Sequence, residues 1–181
     1  IRDAKERGIR LTCETCPHYF ALTESAVENY NTLAKVNPPL RTTKDVTAVV
    51  EGIVDGTIDA IASGHSPVSL TEKKKEFDQA AYGISALETA FSISYTYLVQ
   101  NGKITLKRLA ELMSKKPAEI LNLTQKGEIA VGKDADLIVI DTKESYLIEP
   151  QLFASKAKFS PFAGQEVRGR VVCTIVKGKI V

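Results

Sequence analysis

The chain has 181 residues, of which 44% are hydrophobic and 25% are charged, and these proportions are typical of a soluble globular protein. Its 24 basic and 22 acidic residues give a formal net charge of +2, which is too balanced to favour a nucleic-acid-binding protein. No apolar run reaches the roughly 18 residues that span a bilayer, and the three cysteines do not indicate a disulfide framework. We therefore expect a cytoplasmic protein without nucleic-acid or membrane partners.

The beginning of the chain resembles the end of a helix. Residues 2–8 are typical of last helical turns closed by a glycine. A helix that is entered midway indicates a fragment of a longer protein, although processing would give the same beginning. Over residues 9–16 apolar and polar positions alternate before Pro17, which predicts a strand with His18 and Tyr19 at its C-terminal end.

The next segment predicts a complete connection between two strands. Pro38 and Pro39 make a stiff, extended loop. Thr43 is a candidate N-cap for an amphipathic helix that ends at Gly56. A strand over residues 58–63 follows, so the order is strand, long loop, helix and strand, which is typical of a (β/α) barrel.

Two amphipathic helices are predicted after a charged loop. The basic run Lys73 to Lys75 lies between acidic residues and predicts a solvated loop. One helix covers residues 85–100, and the other begins after a Thr105 cap and restarts at Pro117. Their apolar faces predict core positions, which are Leu87, Phe91, Tyr95, Leu98, Leu106, Leu109, Leu112 and Met113.

The composition changes at residues 126–132. From there the chain consists of short strands and turns, with strands predicted over residues 135–140, 167–176 and 180–181. Antiparallel pairing in a small separate sheet fits this pattern. We therefore divide the chain into two domains, residues 1–125 and residues 126–181.

The cysteines and histidines are the candidate metal ligands. Cys13 and Cys16 have C-x-x-C spacing, which suits zinc or thiol exchange, but Cys173 stands alone and strand positions 13 and 16 face opposite sides. Two small buried residues are the preferred interpretation. His18 and His65 are the only histidines, whereas a hydrolytic zinc site usually takes three protein ligands. An active-site role and simple packing are equally open for His18, and hydrogen bonding suits His65 better than ligation.

Several motifs occur in the order of one enzyme family. They are residues 14–20 (ETCPHYF), 35–41 (KVNPPLR), 58–67 (IDAIASGHSP), 83–90 (GISALETA), 132–141 (GKDADLIVID), 155–164 (SKAKFSPFAG) and 174–179 (TIVKGK). Together they resemble the dihydroorotase, allantoinase and hydantoinase group of cyclic amidohydrolases, and bacterial dihydroorotases most closely. The resemblance covers essentially the whole chain. It implies an α/β fold, the C-terminal part of a (β/α)₈ amidohydrolase barrel with its last two strands and helices, followed by part of a small β-sandwich.

The resemblance also implies where the site lies. At the end of the last barrel strand the family has an Asp that binds metal and moves the proton of the attacking water, and this chain has Gly64 there. Val68 stands where dihydroorotases usually have a substrate-binding His. Asn37 matches the residue that binds dihydroorotate, while Tyr82 and Gly83 match a loop whose backbone contacts the substrate ring.

The other metal ligands of the family would precede this chain. They are a His-x-His pair, a carboxylate or carbamylated lysine, and two single histidines. His18 matches a position near the site that is not a usual ligand, so no intact metal ligand remains, and we expect none of the family's zinc on this chain alone. Asp59 lies about 16 Å from residue 64 along an extended strand, and Glu72 and Asp78 lie in the following loop. None reproduces a strand-end Asp, so we expect negligible hydrolysis.

The implied function of the parent protein is the reversible ring closure of N-carbamoyl-aspartate to dihydroorotate in pyrimidine biosynthesis. One alternative is a non-catalytic paralogue that supports aspartate transcarbamoylase. Another is a hydantoinase or allantoinase relative, which Ser66 favours slightly, whereas residues 37–39 favour dihydroorotase. Two barrel strands alone leave unpaired edges and an uncovered apolar face. We therefore expect a homo-oligomer, or a need for the missing N-terminal half.

Overall fold

A parallel pair of strands organises the first part of the molecule. The computed structural model describes residues 1–181, beginning with α1 (Arg2–Glu6). β1 (Glu14–Thr15) pairs in parallel with β2 (Ala60–Ile61), and α3 (Thr43–Val54) lies in the connection between them. Parallel neighbours need such a crossover, so the predicted order of strand, helix and strand is confirmed.

Short helical turns fill the connection that leads to α3. α2 (His18–Ala21) follows β1 directly, and two 3₁₀ turns cover Glu24–Tyr30 and Thr32–Ala34. The Asn37–Pro38 peptide bond is cis. These elements bring the chain from the end of β1 to the proline loop without any further strand.

Both parallel strands are shorter than the alternation predicted. Each has two residues, against eight in residues 9–16 and six in residues 58–63. A strand needs a paired neighbour along its length, and only this short stretch has one. Next to the ladder, Asp59 N–H donates to Cys13 O at 2.9 Å, and Cys13 N–H donates to the Asp59 carboxylate at 2.8 Å.

α3 begins one residue earlier than predicted. Thr42, not Thr43, is its N-cap, because Thr42 Oγ1 accepts from Asp45 N–H while the Asp45 carboxylate accepts from Thr42 N–H. This reciprocal capping box needs an acidic or amide side chain three residues after the cap, and Thr43 is followed there by Val46. Gly56, with φ of +85°, lies just past the end of the helix.

Two longer helical segments follow β2 and a single turn, α4. The elements in order are α4 (Leu70–Lys73), α5 (Ala90–Ser94) with a π-helix over Tyr95–Gln100, and α6 (Leu106–Ala110) with a π-helix over Glu111–Lys115 and α7 (Lys116–Ile120). Thr105 caps α6 as predicted, by accepting from Arg108 N–H. The predicted restart at Pro117 is confirmed within one residue, since α7 begins at Lys116 with Pro117 in its first turn. Leu106 is 40% exposed rather than buried, because it lies in the first turn.

The helix predicted over residues 85–100 starts later, at Ala90. Leu87, expected on its buried face, is 63% exposed. The backbone N–H groups of Ala86 and Leu87 donate to His65 Nδ1 at 3.1 and 3.2 Å. This contact with a distant loop holds the segment in a non-helical conformation, so the local periodicity misplaced the helix start.

The last part of the chain forms an antiparallel sheet. β3 (Leu137–Leu147), β4 (Glu166–Val176) and β5 (Lys179–Ile180) lie in the order β3-β4-β5. The predicted antiparallel sheet, separate from the parallel pair, is confirmed. The proposed domain boundary at residues 125 and 126 falls between α7 and β3 and stays a prediction.

One apolar core joins the helices to the C-terminal sheet. Its eleven buried residues come from both sides of the proposed boundary and are Phe20, Ile53, Ile61, Ile93, Leu98, Leu109, Leu112, Ile148, Phe153, Phe162 and Val167. A smaller cluster consists of Ala34, Val36, Leu40, Ile84 and Ala86, which flank the proline loop and Gly83. None of the helices has both the length and the apolar character that crossing a membrane requires.

Candidate functional site

The loop after β2 contains a residue whose backbone favours glycine. Gly64 has φ of +64°, in the left-handed region. A Cβ built at this position would lie 2.5 Å from His18 Cε1 and 2.9 Å from Cys16 Sγ. The imidazole and the thiol therefore occupy the space that a side chain at residue 64 needs. Placing an Asp here requires both groups to move and the backbone to accept strain.

His18 is buried beside Gly64 and has one unpaired ring nitrogen. The residue is 4% exposed, and its Nδ1 atom is buried without a hydrogen-bond partner. Burial lowers the pKa of His18 to about 4, so the imidazole is neutral at pH 7. A neutral imidazole with a free nitrogen is available as a proton acceptor or as a single ligand.

Cys16 lies on the same side of the loop as a protonated thiol. Burial, together with the nearby Glu14 carboxylate, raises the pKa of Cys16 to about 11. The thiol is therefore a weak nucleophile at neutral pH. Cys13 points elsewhere, with Sγ donating to Thr57 O at 3.1 Å. The two cysteines are free and half-buried, rather than fully buried as predicted, and they do not form a paired C-x-x-C site.

The loop after β2 is tied to the segment that carries Tyr82 and Gly83. Ser66 N–H donates to Ile84 O at 2.9 Å, and His65 forms a parallel bridge with Ile84. A Cβ at Gly83, which has φ of +113°, would lie 2.7 Å from Ser66 Oγ. The residue is therefore glycine because the two segments approach closely.

The predicted substrate-contacting residues lie at the edge of this arrangement. Asn37 is exposed, and the next residue is held because Tyr19 OH donates to Pro38 O at 2.8 Å. Tyr82 is 56% exposed. Val68 is half-buried further along the loop and has no hydrogen bond to the other members. The contacts therefore join His18, Gly64, His65 and Gly83 through their segments, whereas Asn37, Tyr82 and Val68 lie outside this group.

Sequence reasoning missed two buried lysines next to these segments. Lys73, which was predicted in a solvated loop, is 0% exposed, and Lys35 is 5% exposed. The prediction is wrong for Lys73, whereas Lys74 and Lys75 are exposed. Both buried ammonium groups donate to backbone carbonyls. Every residue has a backbone carbonyl, so the sequence contains no signal that would have identified these acceptors or the burial of Lys73.

The residues of this chain do not fit a metal centre. No three His, Cys, Asp or Glu side chains are grouped so that they could hold an ion. Gly64 offers no donor, and the free nitrogen of His18 is a single potential ligand beside a protonated thiol.

Comparison with known proteins identifies the family. The model of the amidohydrolase family matches residues 3–181. The chain belongs to the amidohydrolase family.

Its similar sequences include dihydroorotases. That of Acetivibrio thermocellus is 48% identical over 181 residues, which is 100% of this chain and 42% of that protein. That of Thermoanaerobacter sp. (strain X514) is 50% identical over 180 residues, or 99% of this chain and 41% of that protein. This amidohydrolase chain thus spans about two fifths of the length of the curated relatives it matches.

Its similar structures include hydantoinases. The L-hydantoinase (dihydropyrimidinase) of Arthrobacter aurescens superimposes with a TM-score of 0.94 at 34% identity, over 100% of this chain and 41% of that chain. The dihydropyrimidinase of Brevibacillus agri gives a TM-score of 0.93 at 26% identity, over 99% of this chain and 41% of that chain. The predicted fold class, α/β and part of an amidohydrolase barrel, is confirmed.

Proposed function

We propose that this chain is the C-terminal portion of a dihydroorotase-like cyclic amidohydrolase of pyrimidine biosynthesis, and that it is inactive alone. The observation that carries the proposal is identity of 48% and 50% with two dihydroorotases, against 34% with the L-hydantoinase. The parent reaction is then the reversible ring closure of N-carbamoyl-aspartate to dihydroorotate. Any zinc would be held by residues outside this chain.

Asn37, Tyr82 and Gly83 form the substrate side in this proposal. The exposed Asn37 amide has both donors and an acceptor, which suits the carboxylate and ring amide of dihydroorotate. Gly83 lets the chain pass close to Ser66, and its N–H donates to Lys35 O at 3.1 Å, so it fixes the position of Tyr82 next to it. Exposed Tyr82 adds an aromatic ring next to that backbone.

Inactivity follows from the absence of a proton carrier at residue 64. Asp59 does not replace it, because it lies at the other end of β2 and accepts from Lys5 Nζ at 2.6 Å. Glu72 is paired with Lys75 at 2.8 Å. Loss of a general base typically lowers the rate by a factor of about 10² to 10⁴. We therefore expect dihydroorotate hydrolysis by the parent protein to be lower by that factor than in ordinary dihydroorotases.

The test restores both missing side chains in the full-length parent, as Gly64→Asp together with Val68→His. We expect hydrolysis of dihydroorotate to rise by about 10² or more in the double variant. Gly64→Ala is the matched control, since its Cβ meets His18 and Cys16 in the same way but brings no carboxylate. The alanine variant should lose stability and gain no activity. Wild-type activity at the ordinary level of a dihydroorotase would contradict the proposal.

A second candidate function is a structural partner of aspartate transcarbamoylase. The observation that favours it is the filled space at Gly64, where His18 and Cys16 leave no room for the family Asp. If neither the wild-type parent nor the double variant hydrolyses dihydroorotate, and the zinc content of both is near zero, this candidate replaces the first. Sedimentation of the parent with aspartate transcarbamoylase then tests it directly. Hydantoin and allantoin, assayed in parallel, separate dihydroorotase from its relatives.

A further inference from the structure

Two ammonium groups lie inside the protein without a carboxylate partner. Lys35 is 5% exposed and Lys73 is 0% exposed. Neither takes part in an ion pair, in contrast to the twelve ion pairs that other side chains form. Buried lysines are rare unless paired, and an apolar side chain would fill the same space without desolvating a charge. The two charges therefore need an explanation beyond packing.

Both groups bind the backbone of the loop between α4 and Tyr82. Lys35 Nζ donates to the carbonyl oxygens of Phe77, Asp78 and Ala80, the last at 2.7 Å. Lys73 Nζ donates to Ala81 O at 3.0 Å. Each ammonium thus fixes residues that directly precede Tyr82, with hydrogen bonds that the charge strengthens.

The same lysines connect this loop to the segment that carries Asn37. The carbonyl oxygen of Lys35 accepts from Lys73 Nζ at 3.0 Å and from Gly83 N–H at 3.1 Å. Lys35 Nζ also lies 4.5 Å from the centroid of the Tyr82 ring, within the range of a cation–π contact. Asn37 follows Lys35 by two residues, so one lysine contacts both edges of the candidate site.

We propose that Lys35 and Lys73 are positioning residues that hold Tyr82 and Gly83 beside Asn37 through the backbone of residues 77–81. We call the hydrogen bonds from Lys35 Nζ and Lys73 Nζ to the backbone the latch. The binding of dihydroorotate by Tyr82, Gly83 and Asn37 rests on the proposed function, whereas the latch does not. Lys73 remains mostly protonated at pH 7, although its surroundings disfavour the charge. Burial, and then the like charge of Lys35, lowers its pKa to about 8.

The test compares Lys35→Met and Lys73→Met with Lys74→Met, an exposed neighbour on the same loop. Hydrogen–deuterium exchange is followed by mass spectrometry on the full-length parent protein, with β3 and β4 as internal reference. We expect residues 77–83 to exchange on the order of tenfold faster in the two buried-site variants, because charge-assisted hydrogen bonds are lost. The reference strands and the Lys74→Met chain should exchange like wild type.

A second readout distinguishes positioning from simple stability. Equilibrium binding of dihydroorotate should weaken about tenfold in both buried-site variants, while the thermal unfolding midpoint stays within the range of the control. Unchanged exchange over residues 77–83 overturns the latch. Faster exchange with unchanged affinity overturns the positioning role.

Two further outcomes are separable from these. If wild type binds no dihydroorotate, the proposed function fails, and the latch is judged by exchange alone. If a variant does not fold, the proposal is tested instead by brief acetylation of the native wild-type parent protein. Lys35 and Lys73 should then be modified at least tenfold more slowly than Lys74, and equal modification overturns the latch.

Discussion

His18 and Gly64 share one small volume at the end of β2. The imidazole lies where a Cβ of residue 64 would be, and its Nδ1 has no partner. If residue 64 matches the family Asp, as we propose, this chain lacks the space for a side chain there as well as the carboxylate. The neighbouring side chains already occupy the space, so glycine and its surroundings depend on each other.

Burial of His18 couples the stability of the chain to acid. The pKa of His18 is lowered from 6.5 to about 4, so between these values the unfolded chain binds a proton that the folded chain does not. The contribution to stability is complete above pH 6.5 and is lost as pH falls toward 4. We expect the urea midpoint to fall over this window, and to fall less in His18→Gln. His65→Gln serves as control, and an acid step unchanged in His18→Gln would assign it to other groups.

The helices show how far local pattern determines an element. α3 was predicted with both ends within one residue, because its cap, its apolar stripe and its terminal glycine are all local signals. The start of α5 was misplaced, because two N–H groups donate to His65, more than 20 residues away in sequence. Local periodicity carries no information about such a partner.

Capping of α3 gives a prediction at the scale of one element. Thr42→Ala removes the acceptor for Asp45 N–H and should lower the free energy of unfolding by about 1 kcal/mol. Thr43→Ala is the matched control, since Thr43 is the first helical residue and its change should remain within about 0.5 kcal/mol. Urea denaturation measures both. Equal losses in the two variants would contradict the assignment of Thr42 as the cap.

The site residues were predicted unevenly, and the reason is again physical. The resemblance of the ordered motifs led to Gly64, Asn37 and Gly83, whose segments the structure joins by hydrogen bonds. The same reasoning placed Lys73 in solvent. Its acceptors are backbone carbonyls, which every residue type possesses, so the sequence contains nothing that distinguishes Lys73 from Lys74.

At the scale of the whole molecule, the parallel pair and the exposed apolar side chains predict association. β1 and β2 pair only with each other, so each has an unpaired edge. Exposed apolar side chains include Ile9, Leu87, Ile129, Val131, Leu152 and Ile180. We expect the isolated chain to sediment as oligomers or aggregates at micromolar concentration, and to become monodisperse when the rest of a related barrel is supplied. A single monomeric species with cooperative unfolding would refute this expectation.

The shared core has a consequence for engineering by recombination. Val167 of β4, together with Ile148, Phe153 and Phe162 of the connection from β3 to β4, packs in the same cluster as the buried residues of α5 and α6. The C-terminal sheet and its β3–β4 connection are therefore not an interchangeable module. In a chimera that joins this helical part to the sheet of another amidohydrolase, the core side chains of the two parts would not be complementary. Such a chimera would need compensating substitutions on both sides of the junction.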